Sequence, residues 1–371
     1  MKLPSRLAKL KVCLAHDWLT GMRGGEKVLE AMIELFPTAS LYTLLHVPGS
    51  VSQTIEQRAI HTSLVQKLPN AKNLYRHYLP LFPLAVKNMQ VESCDLLLSI
   101  SHCAIKALNA PDVHISYVNA PMRYVWSQFE QYYQQANPIT KLGMKITRPW
   151  LQHWDASTSG RVDGFISNSQ NIAAQVKRYY KRDSLVVHPP VDLDAFTPQP
   201  GPKNYYLVVS ALVPYKRVDL AIAACNQLGA PLKVVGSGPQ ARALRALAGP
   251  TVEFLGWRES HELNSLYANA KAFLFPGEED FGITPLEAMA CGCPVLAYGN
   301  GGALETVLGQ DSPNPTGRFF YEQSVQALVT AMQQLEADLP HFEQRHLLTR
   351  AAHFAKPAFQ QNLLNAINKL L

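Results

Sequence analysis

Short apolar runs alternate with segments of helical period along most of the chain. Lys11 to His16 is a brief apolar run, and Glu26 to Phe36 places Val28, Leu29, Met32, Ile33 and Leu35 on one helical face. The alternation recurs. Asp95–Ser101, Val113–Asn119 and Gly164–Ser169 read as strands, Asn171–Tyr180 as a helix, and Ser184–His188 as a further strand. After a break it resumes: strand Tyr205–Ser210, helix Val218–Leu228, strands Leu232–Val235 and Val252–Gly256, helix Ser260–Ala270, and strands Ala272–Phe275 and Val295–Tyr298. Near-continuous apolar strands separated by helices predict parallel sheets covered on both faces. The break is Pro189-Pro190 followed by Pro198 to Lys203, a proline- and glycine-rich linker. Beyond Arg318-Phe319-Phe320 the pattern turns helical, and Lys356–Leu371 is amphipathic.

Length changes this picture little: 371 residues suit two domains. No apolar run reaches the roughly 18 residues that span a bilayer. The basic N-terminus lacks the features of a signal peptide, which predicts a cytoplasmic protein. The cysteines at 13, 94, 103, 225, 291 and 293 lie mostly in apolar segments and read as reduced, packed thiols. A net charge of +6 permits an anionic surface or substrate without demanding nucleic acid, and none is expected.

Candidate chemistry concentrates between Phe275 and Thr306. Thr284, Pro285 and Glu287 suit an N-cap, first helical position and capping-box glutamate. Backbone N–H groups at such a helix start, beside Gly282, form an anion site. Glu279 and Glu287 can both face the crevice at the strand's carboxyl end. Carboxylates there suit ligand hydroxyls better than phosphate, so a sugar nucleotide fits. The alternative is that Glu287 only caps its helix and Glu279 is solvated.

Elsewhere each candidate has two readings. Gly24 and Gly25 either bring amides to a phosphate or sugar, or form a plain turn. Lys216 and Arg217 either bind a diphosphate or are a solvated pair. Arg123 either meets a phosphate or carboxylate, or joins an ordinary ion pair. Gly236 and Gly238 form a turn at a strand end. Asp192-Leu193-Asp194 has the spacing of a metal-binding DxD, but it lies in the linker and reads as structural. Residues 60–90 and Lys141–Trp154 interleave cations with aromatic and aliphatic residues. They read either as helices packed on the domain or as a membrane-facing surface.

The phrase from Glu279 through Phe281-Gly282 to Glu287-Ala288, Gly292-x-Pro294-Val295, Gly301-Gly302 and Glu305 resembles retaining GT-B glycosyltransferases of family 4. His16-Asp17-Trp18-Leu19-Thr20-Gly21, Ser101-His102-Cys103 and Asn119-Ala120-Pro121-Met122-Arg123-Tyr124-Val125-Trp126 are similar to a mannosyltransferase subgroup of O-antigen and exopolysaccharide synthesis.

The resemblance implies two Rossmann-like domains with an interdomain cleft, residues 1–196 binding acceptor and 197–350 binding donor. It also implies that residues 351–371 return as a helix to the first domain. Catalytic residues would be Glu279 on the donor sugar, Lys216 on the diphosphate, and Asn119, which stands where the family usually has histidine. Glu287 would hold the ribose and Trp257 lie near the base. Amides of Phe281, Gly282, Ile283 and Thr284 would meet sugar and diphosphate, with Gly24, Gly25, Gly236 and Gly238 completing the site. Ala211 occupies the family's arginine position, so Arg217 or Arg123 would compensate. The implied reaction is metal-independent transfer of mannose from GDP-mannose to a saccharide or polyprenyl-diphosphate-linked saccharide, at the inner membrane surface. A UDP-sugar donor, another sugar-nucleotide enzyme and a non-catalytic sugar-nucleotide-binding protein remain as rivals.

Overall fold

A computed structural model describes residues 4–371. The chain forms two units: residues up to Pro190 together with Lys356–Leu371, and Val191–Ala355. The second unit begins at Val191, ahead of the expected residue 197. Val191 bridges to Ala355, and Phe196 packs on Tyr267 with ring centroids 5.8 Å apart.

The first unit carries strands β1 (Val12–His16), β2 (Ser40–Thr43), β3 (Ile60–Thr62), β4 (Leu96–Ser101), β5 (Val113–Val118), β6 (Gly164–Ser167) and β7 (Leu185–Val186). They form one parallel sheet in the order β3-β2-β1-β4-β5-β6-β7. Successive side chains of a strand face opposite ways. Leu14, Leu96, Leu98 and Ile100 therefore enter the core beneath helix Gly24–Leu35, while Cys13, Ala15 and Leu97 enter the opposite core with Phe82 and Leu151. Burial on both faces explains why these strands read as continuous apolar runs.

The C-terminal helix, Lys356–Leu370, packs into the first of these cores as expected. Phe359, Leu363, Leu364 and Ile367 form its buried stripe. Phe359 meets Tyr117 edge-on at 6.0 Å, and Gln360 donates to the Ala31 carbonyl of helix Gly24–Leu35.

The second unit repeats the plan with β8 (Tyr205–Val209), β9 (Leu232–Val235), β10 (Val252–Gly256), β11 (Ala270–Phe275), β12 (Val295–Tyr298) and β13 (Gly317–Phe320). Its order is β10-β9-β8-β11-β12-β13, again parallel. In both sheets the winding reverses direction once, between β1 and β4 and between β8 and β11. Loops at the carboxyl ends of such neighbouring strands diverge and leave a crevice, where open α/β sheets bind ligands.

Two local expectations change. Helix Gly24–Leu35 starts before Glu26, so the glycine pair is its first two residues; the Arg23 amide donates to Glu26 Oε2 at 3.1 Å and sets that start. Residues 60–90 form no long amphipathic helix. The stretch breaks into β3 and short helical turns, with Pro80 inside one of them, and Tyr75, Phe82, Ala85 and Val86 are buried.

Candidate active site

In the second unit three loops meet at the switch point. The loop after β8 leads into a turn at Pro214–Lys216, and the loop after β11 begins Pro276-Gly277. Gly277 lets them touch: a Cβ there would lie 2.7 Å from the Lys216 Cα. The contact pairs Lys216 Nζ with Glu279 Oε1, both largely shielded from solvent. The third loop follows β12. The Gly302 amide donates to the Glu279 carbonyl at 2.8 Å, and a Cβ on Gly302 would fall 2.2 Å from the Phe281 Cα.

Glu287 lies in helix Thr284–Ala290. The expected capping box is absent. Ile283 takes the N-cap position without a side-chain bond, so Thr284 is already helical. The buried Glu287 carboxylate instead accepts from the Tyr267 hydroxyl at 3.1 Å. Burial, then the adjacent Glu287 charge, push the Tyr267 hydroxyl well above its usual pKa of 10, so it remains a donor. Phe281 turns its ring into the core, 5.6 Å from Phe354, which leaves only its backbone for a ligand. Gly282 sits at φ +92°, a conformation that favours glycine.

The remaining candidates of this unit are more dispersed. Arg217 caps the helix Val218–Leu228 in a left-handed conformation, and its guanidinium is bonded to Asp219 at 3.1 Å. It would have to leave Asp219 to reach a phosphate. Gly236 and Gly238 let the turn after β9 lie on the loop that leads to Lys216: Cβ atoms there would come within 1.8 Å of the Ser210 carbonyl and 2.4 Å of the Leu212 carbonyl. Their closest role is therefore to shape that loop. Trp257 is 69% exposed beyond β10, and Ala211 is exposed. Asp192 and Asp194 are joined by a backbone-to-side-chain bond, Asp194 N–H to Asp192 Oδ1 at 3.3 Å. Among the described residues no group of three or more His, Cys, Asp or Glu side chains could hold a metal ion.

The switch point of the first unit is built on Asp17. Its buried carboxylate accepts backbone N–H bonds from His102, Cys103, Ala104 and Ile105 at 2.6–2.9 Å, and His102 Nδ1 lies 3.4 Å away. Burial pushes the Asp17 pKa up, against the backbone donors of His102, Ala104 and Ile105. His102 is held well below 6.5 by burial, then by His16 and the guanidiniums of Arg123, Arg23 and Arg76. Gly24, Gly25 and Asn119 lie together here. A Cβ on Gly25 would be 3.2 Å from Asn119 Nδ2, and Asn119 itself is anchored by its N–H to the Ser101 carbonyl at 2.8 Å. Trp126, the end of the Asn119 phrase, donates through Nε1 to Asp155 at 2.7 Å. Asp155 is buried and paired with the equally buried Lys106, Nζ to Oδ1 3.0 Å.

Of the residues the sequence singles out, the structure pairs Lys216 with Glu279, buries Glu287 against Tyr267 and sets Asn119 beside Gly25; Asp17, His102 and the Lys106–Asp155 pair are not singled out as individual sites. Their signal is polarity at the end of an apolar run: His16-Asp17 closes one strand, and Lys106 interrupts an otherwise apolar stretch.

Residues 191–353 match the family glycosyl transferases group 1. The GDP-mannose-dependent alpha-(1-6)-phosphatidylinositol monomannoside mannosyltransferase of Mycolicibacterium smegmatis is 30% identical over 255 residues, 55% of this chain and 66% of that protein. The first such curated relatives are spanned over 66% of their length or less. In fold, the chain resembles sucrose-phosphate synthase from Thermosynechococcus elongatus, with TM-score 0.71 and 20% identity, over 96% of this chain and 99% of the other. It likewise resembles Anabaena Alr3699/HepE in complex with UDP and glucose, with TM-score 0.72 and 18% identity, over 97% and 99%. The two parallel sheets, of seven and six strands, match those of GT-B glycosyltransferase structures.

Proposed function

Because residues 191–353 form a glycosyl transferases group 1 domain, we propose that the protein is a retaining glycosyltransferase that uses a sugar nucleotide. The observation that carries this reading is the Lys216–Glu279 pair at the switch point of that domain. Transfer generates charge on a leaving diphosphate, and a fixed cation next to it lowers the barrier. Lys216 supplies that cation. Glu279 accepts from hydroxyls of the donor sugar, Glu287 from the ribose, and the amides following Phe281 meet the diphosphate. A GDP-mannose donor is supported by the mannosyltransferase relative named above, at 30% identity. A UDP-sugar donor is the second reading, favoured by the UDP and glucose complex of the structural neighbour.

For the acceptor we propose a saccharide on a polyprenyl diphosphate, reached at an anionic membrane surface. Helix Pro138–Thr158 supports it: Ile139, Leu142, Ile146 and Trp150 are exposed at helical spacing on one side. Lys141, Lys145 and Arg148 stand on the same helix over the rings of Tyr133 and Phe129. An exposed apolar face backed by a cationic one on the same helix suits a headgroup boundary. No helix among the described residues is long and apolar enough to cross a membrane.

The test is incubation of the full chain with GDP-mannose or UDP-glucose and a polyprenyl-diphosphate-linked saccharide, on vesicles with and without anionic lipid. Mass gain of one hexose, larger on anionic vesicles, is expected. Donor binding without transfer to any saccharide would leave a binding protein.

A further inference from the structure

His16, the last residue of β1, is fully buried, and one of its ring nitrogens is engaged. Nδ1 lies 3.0 Å from the Trp18 carbonyl oxygen. A carbonyl only accepts, so Nδ1 carries the hydrogen, and in the neutral ring Nε2 presents a lone pair. That Nε2 is buried with no hydrogen-bond partner, and so is Asn119 Nδ2. Both are aimed at one spot. A Cβ built on Gly25 would lie 3.1 Å from His16 Nε2 and 3.2 Å from Asn119 Nδ2. Gly25 is the second residue of helix Gly24–Leu35, whose first amides have no partner within the helix. An acceptor, a donor and a helix N-terminus converge on a notch beside a residue that has no side chain. The surrounding charged and titratable groups are Asp17, His102, Arg23, Arg76 and Arg123.

We propose that His16 Nε2 and Asn119 Nδ2 form a two-point cradle for one sugar hydroxyl at Gly25. The hydroxyl hydrogen donates to His16, and its oxygen accepts from Asn119. A hydroxyl is both donor and acceptor, so it satisfies both groups at once; a phosphate oxygen, acceptor only, leaves the Nε2 lone pair opposed. The inference rests on the sugar-transfer reading and deepens it. His16 becomes a binding residue, and it supplies an imidazole although residue 119 is asparagine. The hydroxyl belongs either to the donor sugar or to the acceptor saccharide.

Two variants test it. Gly25→Ala puts a methyl group 3.1 Å from His16 Nε2 and 3.2 Å from Asn119 Nδ2, so it crowds both groups and shifts them slightly without removing either; Gly25 is not in the left-handed region, so alanine suits its backbone. His16→Phe keeps the ring volume and removes the acceptor. Each is checked for folding by thermal melting, then titrated calorimetrically with GDP, UDP, GDP-mannose and UDP-glucose, and assayed for the acceptor KM. About tenfold or greater weakening is expected from loss of a hydrogen bond of about 1.4 kcal/mol. Weaker sugar-nucleotide binding with unchanged GDP and UDP binding assigns the hydroxyl to the donor. Unchanged donor binding with a raised acceptor KM assigns it to the acceptor. Equal weakening of GDP or UDP alone would make the notch a phosphate site and overturn the proposal. No change in any of these for a folded Gly25→Ala would mean the notch holds only water, which also overturns it. If the unaltered protein binds no sugar nucleotide, the transfer reading itself falls, and the proposal with it.

Discussion

Lys216 Nζ and Glu279 Oε1 form an ion pair between the loops that follow β8 and β11. The two side chains are only 15% and 20% exposed, so little water screens them. Each holds the other in place. Lys216→Ala therefore removes the cation and releases Glu279. Transfer is expected to fall about 10²–10³-fold, and Glu279→Ala should act on kcat in the same direction. Both variants should melt near the parent temperature, since neither side chain is in a core. Steady-state kinetics with a parallel melting curve checks this, and unchanged activity in both variants would refute the assignment.

Gly302 positions Glu279 without being near its carboxylate. Its amide holds the Glu279 carbonyl, and its missing side chain admits Phe281. Gly302→Ala is expected to force the two loops apart. Overpacking of this kind costs about 1–3 kcal/mol, and displacement of a positioned group costs roughly 10²-fold in rate. A denaturant melt and kcat measured together check it. A variant with full activity would show that this loop contact does not place Glu279.

The buried Lys106–Asp155 pair ties Trp126 and Tyr180 together. Asp155 Oδ2 accepts from Trp126 Nε1 and from the Tyr180 hydroxyl at 3.0 Å, and Lys106 lies over the Tyr180 ring at 4.6 Å. Lys106→Met leaves a buried carboxylate without its cation. A loss of about 3–5 kcal/mol is expected. Replacing both, Lys106→Met with Asp155→Leu, should recover part of it. Urea melts of the single and double variants are the measurement.

His114 makes the protein sensitive to mild acid. Burial, with Lys106 nearby, holds its pKa down to about 4, against 6.5 for a free imidazole. The unfolded chain therefore binds the proton first. Stability is full above pH 6.5 and falls as pH drops from there toward 4, by about 3 kcal/mol for this residue at about 1.4 kcal/mol per unit. His102, held low by burial and neighbouring cations, acts in the same direction. Replacing His114 by Phe should flatten the pH dependence of the melting temperature over that range. An equally steep profile would assign it elsewhere.

Much of the fold was legible because strands buried on both faces leave continuous apolar runs, and Val295–Tyr298 and Val218–Leu228 fall where the pattern puts them. Residues 60–90 misled because their apolar residues follow a compact path of short turns, with no single period to read. The starts of the helices at Gly24 and Thr284 were shifted: Glu26, read as the first helical residue, caps the first helix from within its opening turn, and the second starts at Thr284 behind an Ile283 that makes no side-chain cap. In the site, charges at strand ends were visible one by one. The pairing of Lys216 with Glu279, and the approach of His16 and Asn119 to Gly25, depend on segments distant in sequence meeting at glycines. A single sequence carries the glycines but not what they touch.

The most direct measurement is calorimetric titration of GDP, UDP, ADP and their hexose conjugates into the full chain and into Lys216→Ala, first without metal and then with magnesium. The account predicts metal-independent binding of a sugar nucleotide, GDP-mannose ahead of the others, and its marked loss in Lys216→Ala. Absence of nucleotide binding by the unaltered chain, or equal binding by both proteins, would contradict it.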